Sequence, residues 1–155
     1  MHHRLYYHVV WTTRDRARLI DAGLAQFLCR FLRGVARQER AHILEIGMVA
    51  THIHVLMRAD PLCSLSRLLQ RLKGGSSAIA GKERHSTTGL NLKWNKGYSI
   101  TTVGPRTLEG IRDYLRSQPI KHPEEVIEDW AGDSPEYELA GQEEWPGSDR
   151  SIFRR

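Results

Sequence analysis

The sequence predicts an α+β sandwich, with helices packed mainly on one face of a central antiparallel sheet. Three observations predict it. Strand-like and helix-like segments follow one another in the order β-α-β-β-α-β-β-α up to residue 118. The strand-like runs 42–49 and 52–58 are separated only by Ala50-Thr51, a spacing that suits an antiparallel hairpin even without an Asn-Gly turn signal. The helical runs carry their apolar residues on a single stripe, as helices that cover a sheet must.

Taken in order, Leu5–Thr12 alternates and is rich in aromatic and β-branched residues, the pattern of a strand. An Arg-rich loop, Thr13–Ile20, follows. From Asp21 to about Arg40, Leu24, Phe27, Leu28, Phe31, Leu32 and Val35 fall on one helical stripe, which Gly34 weakens without interrupting. After the hairpin, Asp60-Pro61 ends the second strand. Ser64 can cap a helix whose stripe is Leu65, Leu68, Leu69 and Leu72, and Lys73-Gly74-Gly75-Ser76-Ser77 loosens that pattern. His85–Asn91 reads as a polar loop. Leu92–Trp94 and Tyr98–Val103 flank Asn95-Lys96-Gly97, so a second hairpin is expected there. Thr107–Gln118 reads as a last helix, with Thr107 as N-cap and Pro119 as its stop.

With 155 residues, 40% of them hydrophobic and 26% charged, the chain can bury one sizeable core. No apolar run approaches the roughly 20 residues of a membrane helix, no leader peptide is read at the N-terminus, and a cytoplasmic location is expected. Cys29 and Cys63 do not suggest a disulfide framework, which fits a reducing compartment. The net charge of +5 conceals an asymmetry. Residues 1–122 hold 20 Lys and Arg against 8 Asp and Glu, a balance of +12, whereas residues 123–155 hold 3 against 10, a balance of −7. A basic body of that size attracts polyanions, nucleic acid first. The expected organisation is therefore a domain over 1–122 and an acidic tail over 123–155, which can fold back on the basic surface and restrain nucleic-acid binding.

The most informative residues are His52-Ile53-His54, within the strand-like Ala50–Arg58. Side chains alternate along a strand, so both imidazoles share one face and Ile53 points into the core. Two imidazoles start a metal site and do not complete one. The last helix carries Tyr114 and Gln118, four residues apart and hence on one face, beside a buried stripe of Leu108, Ile111 and Leu115. Pro119 leaves Gln118 at the frayed helix end, from which its amide can reach outward. A divalent ion held by His52, His54 and Gln118 suits both the imidazoles and the amide oxygen, and leaves coordination positions open. A tyrosine phenol, pKa about 10, is a usable nucleophile once deprotonated. Together these residues describe metal-assisted transesterification of a phosphate.

They resemble the single-tyrosine HUH transposases. These are the IS200-like enzymes of insertion sequences that move as single strands, and they include the REP-associated tyrosine transposases. His52, Ile53 and His54 match the motif, and Tyr114 with Gln118 matches the later helix. Tyr7-His8-Val9-Val10-Trp11, Leu72-Lys73-Gly74 and Trp94-x-x-Gly97-Tyr98 resemble further signatures, and the likeness covers roughly residues 4–122. The resemblance implies a ferredoxin/RRM-like sandwich and a homodimer with active sites shared between subunits. It implies Mg²⁺ or Mn²⁺ as cofactor, and cleavage of single-stranded DNA near hairpin ends. The intermediate would be a 5′-phosphotyrosine on Tyr114, with metal ligands His52, His54 and Gln118.

Arg14, Arg67, Arg71, Lys73 and Lys96 are the expected DNA contacts, with Arg16 and Arg18 crowding the same first loop. Trp94 and Tyr98 can stack on splayed bases, although burial is the expected state of Trp94. His122 can approach the phosphate, while His2, His3, His8, His42 and His85 receive no role. The competing readings are a domesticated, non-catalytic nucleic-acid-binding module and a zinc hydrolase, the latter without an HExxH or cysteine pair to support it.

Overall fold

Four strands join one antiparallel sheet in the order β2-β3-β1-β4: β1 is Leu5–Thr12, β2 Ala41–Val49, β3 His52–Ala59 and β4 Ser99–Val103. The structure is a computed structural model and describes residues 3–134 and 137. Ala50 and Thr51 form the two-residue connection between β2 and β3, and Val49 pairs with His52 across it. A bulge between Ile43 and Glu45 shifts the β2 register.

Strand alternation gives the sheet two different faces. Val9, Trp11, Ile53, Val55 and Met57 point to one face and enter the main core. The helices α1, Ala22–Gln38, α2, Leu65–Gln70, and α3, Ser76–Glu83, cover it. The Asp21 side chain caps α1 by accepting from the Leu24 N–H at 3.0 Å. The whole α1 stripe read from the sequence is buried, with Leu28 and Leu32 at 0% exposure. Each such side chain contributes about 1.5–3 kcal/mol of transfer free energy.

The helix does not loosen after Leu72. It continues through a wider π-turn at Arg71–Gly75 into α3. The extra residue in that turn keeps Leu68, Leu69 and Leu72 on the core side together with Ser76, Ile79 and Ala80. Gly75 permits the close approach, since a Cβ there would stand 3.1 Å from Phe31 Cζ.

The expected second hairpin is not formed. Trp94 makes a single antiparallel bridge to Thr13, while β4 pairs with β1. The backbone around residue 94 is taken up by the end of β1: Asn95 N–H donates to Thr12 O at 3.0 Å and Arg14 N–H to Lys93 O at 2.9 Å. Trp94 rests edge-on against Trp11 and donates its indole N–H to Ser76 Oγ at 2.9 Å.

On the opposite sheet face lies α4, Leu108–Arg116, followed by the short α5, Gln118–Lys121. Thr107 does not cap α4 with its side chain; its hydroxyl donates to Gly104 O at 3.0 Å. Pro119 starts α5 at its first turn, where a missing N–H is harmless, instead of ending a helix.

Residues 123–134 lie against the β2–β3 end of the sheet. Ala50 N–H donates to Glu125 O at 2.7 Å, and the Arg18 guanidinium donates to the carbonyls of Glu124 and Val126. Arg33 and Asp133 form a bidentate pair at 2.8 and 2.7 Å, both side chains 5% exposed, and Asp133 also accepts from Ile46 N–H. The remainder of the acidic tail, apart from Tyr137, lies outside the described residues. Among the described residues no helix is long and apolar enough to cross a membrane.

Candidate active site

The sheet face beneath α4 carries Tyr6, His8, Val10 and Thr12 from β1, and His52, His54 and Leu56 from β3. A small second core of Leu56, Val103 and Leu115, with Tyr6, Leu44, Leu108 and Ile111 around it, seats the helix there. The expected stripe Leu108, Ile111 and Leu115 is thus the contact face. Gly47 sets the depth of that seat: a Cβ on it would stand 2.3 Å from the carbonyl oxygen of Leu115. Arg116 pairs with Glu45, and Arg112 donates to Leu44 O at 3.2 Å, pinning the helix to the edge strand.

Seated this way, the helix delivers its polar face to the histidines within one chain. Gln118 Oε1 lies 3.3 Å from His52 Nε2, and the Gln118 amide nitrogen donates to Tyr114 O at 3.4 Å. Gln118 is fully buried, so it is part of the floor and does not reach out from a frayed end. The Tyr114 ring stands edge-on to His54, centroids 5.5 Å apart, and is 36% exposed. Lys121 Nζ sits 4.7 Å from the Tyr114 ring centroid, a cation–π distance that keeps a positive charge beside the phenol.

Four further residues complete the surroundings. His8 Nε2 is 2.9 Å from His54 Nδ1, and the two rings stack. Thr51 Oγ1 is 3.0 Å from His52 Nδ1 and donates to Glu125 Oε1 at 2.8 Å. His122 stands edge-on to His52 at 5.0 Å and holds Glu125 Oε2 at 3.4 Å. Sequence reasoning gave His8 no role and did not consider Thr51 or Glu125. Strand parity could have placed His8 on the histidine face, but only with the β1–β3 register in hand.

The electrostatics keep the imidazoles neutral. Burial, reinforced by the neighbouring His52, His8 and His122, lowers the His54 pKa to about 3. His52 is lowered by burial, against the nearby Gln118 side-chain oxygen, which favours the protonated ring, and His8 by burial. Neutral imidazoles offer the lone pairs that a metal ion requires. A separate group, His122, Glu124 and Glu125, brings its ligand atoms within 4.8 Å of one another next door.

The sequence and the fold have relatives among known proteins. The sequence profile of the IS200-like transposases matches residues 1–118. The chain belongs to that family. The IS200-like transposase is 29% identical over 120 residues to the ISDra2 transposase TnpA of Deinococcus radiodurans, covering 75% of this chain and 85% of that protein. It is 30% identical over 118 residues to the transposase for insertion sequence element IS200 of Salmonella typhimurium, covering 72% and 75%. A Deinococcus radiodurans crystal structure described as a transposase superposes with a TM-score of 0.58 at 25% identity, covering 76% of this chain and 93% of the other. The REP-associated tyrosine transposase, solved bound to a REP hairpin, shares the fold with a TM-score of 0.63 at 17% identity, covering 94% and 84%.

The basic residues of this IS200-like transposase divide into two groups. Arg14 and Lys96 are exposed and line a cleft of about 580 Å³ with Asn91, Lys93, Trp94 and Asn95. Lys73 is turned inward to the adjoining loop, donating to the carbonyls of Asn95 and Gly97. Arg67 pairs with Glu39 at 3.3 Å and stays partly exposed. Arg71 is 2% exposed, with its guanidinium on Glu39 Oε1 at 3.0 Å and Gln38 Oε1 at 2.8 Å. It ties α2 to α1 and presents no solvent-facing charge to a phosphate. Tyr98 is 45% exposed.

Proposed function

We propose that this IS200-like transposase cleaves and rejoins single-stranded DNA by transesterification at Tyr114. The observation that supports the reading is the meeting of the Tyr114–Gln118 face with His52 and His54, which the two sequence spacings alone do not require. The phenol oxygen of Tyr114 attacks a backbone phosphorus. The Tyr114 O–P bond forms, the bond from phosphorus to the 3′ oxygen breaks, and the phenolic proton is lost to solvent while the 3′ oxygen gains one. The product is a 5′-phosphotyrosine and a free 3′-OH, which reverses the step on a new partner with no external energy source.

His52 Nε2, Gln118 Oε1 and His54 fit a divalent ion, Mg²⁺ or Mn²⁺, because the His52 nitrogen and the Gln118 oxygen face each other at 3.3 Å. When bound, such an ion neutralises charge on the phosphate oxygens. Lys121, beside the Tyr114 ring, places a positive charge where it can meet the phosphate that the phenol attacks. The half-exposed ring leaves the nucleophile open to substrate, while buried Gln118 and His54 keep the floor rigid.

The cleft of Arg14, Lys93 and Lys96 is the proposed seat of the DNA backbone, with Tyr98 as a base-stacking surface. Arg67 borders the same helical layer, and Lys73 holds the loop that forms the cleft wall. Hairpin-bearing single-stranded DNA is the substrate class, in keeping with the hairpin in the fold relative. Because Tyr114 and both histidines meet in one chain, the geometry favours a site complete in each subunit over exchange between the halves of a homodimer.

The test is a denaturing-gel assay with hairpin-bearing single-stranded DNA and Mn²⁺ or Mg²⁺. The wild type is expected to form a covalent protein–DNA adduct, and Tyr114→Phe to bind DNA without forming it. Adducts that persist in Tyr114→Phe would remove Tyr114 from its role.

A further inference from the structure

We propose that Thr51 and Glu125 are positioning residues that lock His52 in the tautomer whose Nε2 lone pair faces the metal site; this rests on the metal reading above. Thr51 lies within the residues 1–118 that match the family profile and Glu125 lies beyond them.

The proton count settles the direction of each bond. Glu125 Oε1 is a carboxylate oxygen and accepts, so the single hydroxyl proton of Thr51 goes to it across 2.8 Å. Thr51 Oγ1 can then only accept from His52 Nδ1, 3.0 Å away, which places the ring proton on Nδ1. His52 Nε2 is left as a bare lone pair. It faces Gln118 Oε1 at 3.3 Å, and that amide is turned oxygen-first because its nitrogen donates to Tyr114 O. Two acceptors at that distance repel each other unless a cation is held by both. The relay therefore points both atoms at the position a metal ion would fill.

The relay is held rigidly at both ends. Thr51 is 2% exposed, and its carbonyl accepts from Thr13 N–H at 2.9 Å and Thr13 Oγ1 at 3.0 Å. Glu125 is tethered by its backbone carbonyl to Ala50 N–H, and its second carboxylate oxygen contacts His122 Nδ1 at 3.4 Å. A hydrogen-bonded carboxylate behind a metal-binding histidine fixes ring orientation, and losing such a partner weakens metal binding by roughly 10- to 100-fold.

The experiment uses the full chain and two readouts. Long-range ¹H–¹⁵N correlation of the metal-free protein reports the His52 tautomer, and free-Mn²⁺ electron paramagnetic resonance reports affinity. In the wild type, His52 is expected as Nδ1–H. Thr51→Val removes the acceptor, and is expected to mix the tautomers and weaken Mn²⁺ binding about 10-fold or more, while Thr51→Ser restores both. Thermal melting of each variant separates this loss from unfolding. An Nε2–H tautomer in the wild type would overturn the relay. So would wild-type Mn²⁺ affinity in a folded Thr51→Val, or loss of binding in Glu125→Gln alone, which would make Glu125 a direct ligand. A correct tautomer with no Mn²⁺ bound, or with Mn²⁺ binding unchanged in His52→Ala, would instead sink the metal reading and leave the relay standing.

Discussion

His8 Nε2 and His54 Nδ1 lie 2.9 Å apart, 46 residues distant in sequence, with their rings stacked. For His54 to present Nε2 to a metal ion, its Nδ1 must carry the proton and donate to His8. His8 is then the partner that orients the second ligand, as Thr51 orients the first. His8→Phe is expected to preserve the fold and lower Mn²⁺ affinity and adduct formation by roughly 10- to 100-fold. His8→Gln, which keeps an acceptor, should recover part of both. Titration of Mn²⁺ against each variant checks this, and an unaffected affinity in His8→Phe would refute it.

Gly47 decides how closely α4 approaches the sheet. A Cβ there meets the Leu115 carbonyl oxygen at 2.3 Å, and backbone on both sides leaves little room to relax. Gly47→Ala is expected to lose about 1–3 kcal/mol of stability and to move Tyr114 relative to His54. Adduct formation should fall more than hairpin-DNA affinity does. Equal losses in both would show that the helix seat does not govern the nucleophile.

Acid sensitivity follows from the buried imidazoles. The folded His54 pKa is lowered to about 3 by burial and by neighbouring histidines, against about 6.5 in the unfolded chain. Above pH 6.5 both states are neutral and nothing changes. Below it the unfolded chain takes up a proton that the fold refuses, so stability falls as pH drops from about 6.5 toward 3. The slope is at most about 1.4 kcal/mol per pH unit for this group. Urea midpoints of metal-free protein between pH 7.5 and 5 should show a shallower decline in His54→Asn than in the wild type.

Tyr114, His52 and His54 meet in one chain. Mixing His52→Ala with Tyr114→Phe is therefore expected to yield no adduct above that of either variant alone. Restored activity in the mixture would establish exchange of helices across a dimer.

The basic residues should separate by burial. Arg14→Ala and Lys96→Ala, in the cleft, are each expected to reduce the salt-dependence slope of DNA binding by up to about 1 and to leave melting unchanged. Arg71→Met removes the buried guanidinium from Gln38 and from Glu39, which keeps only Arg67, and is expected to lose about 1–3 kcal/mol of stability with little change in that slope. Salt titrations of DNA affinity alongside melting curves distinguish the two classes.

Periodicity along the chain was enough to read the four strands, the α1 stripe, the two-residue β2–β3 connection and the α4 contact face, because each is a local consequence of side-chain spacing. The pairing of His52 with His54 and of Tyr114 with Gln118 was legible for the same reason: period two puts one pair on a strand face, and one helical turn puts the other on a helix face. Residues 92–94 misled, since a turn signal says where the chain bends and not which edge will accept its hydrogen bonds. Arg71 misled likewise, because a guanidinium on a helix reads as exposed until Glu39 and Gln38 are brought to it. Thr51 and Glu125 carry no local signature, and the strand parity of His8 becomes informative only once β1 is paired with β3. Their roles arise from β1–β3 register and from the docking of residues 123–134 on the sheet end, contacts between distant segments that depend on packing and burial and leave no spacing to read.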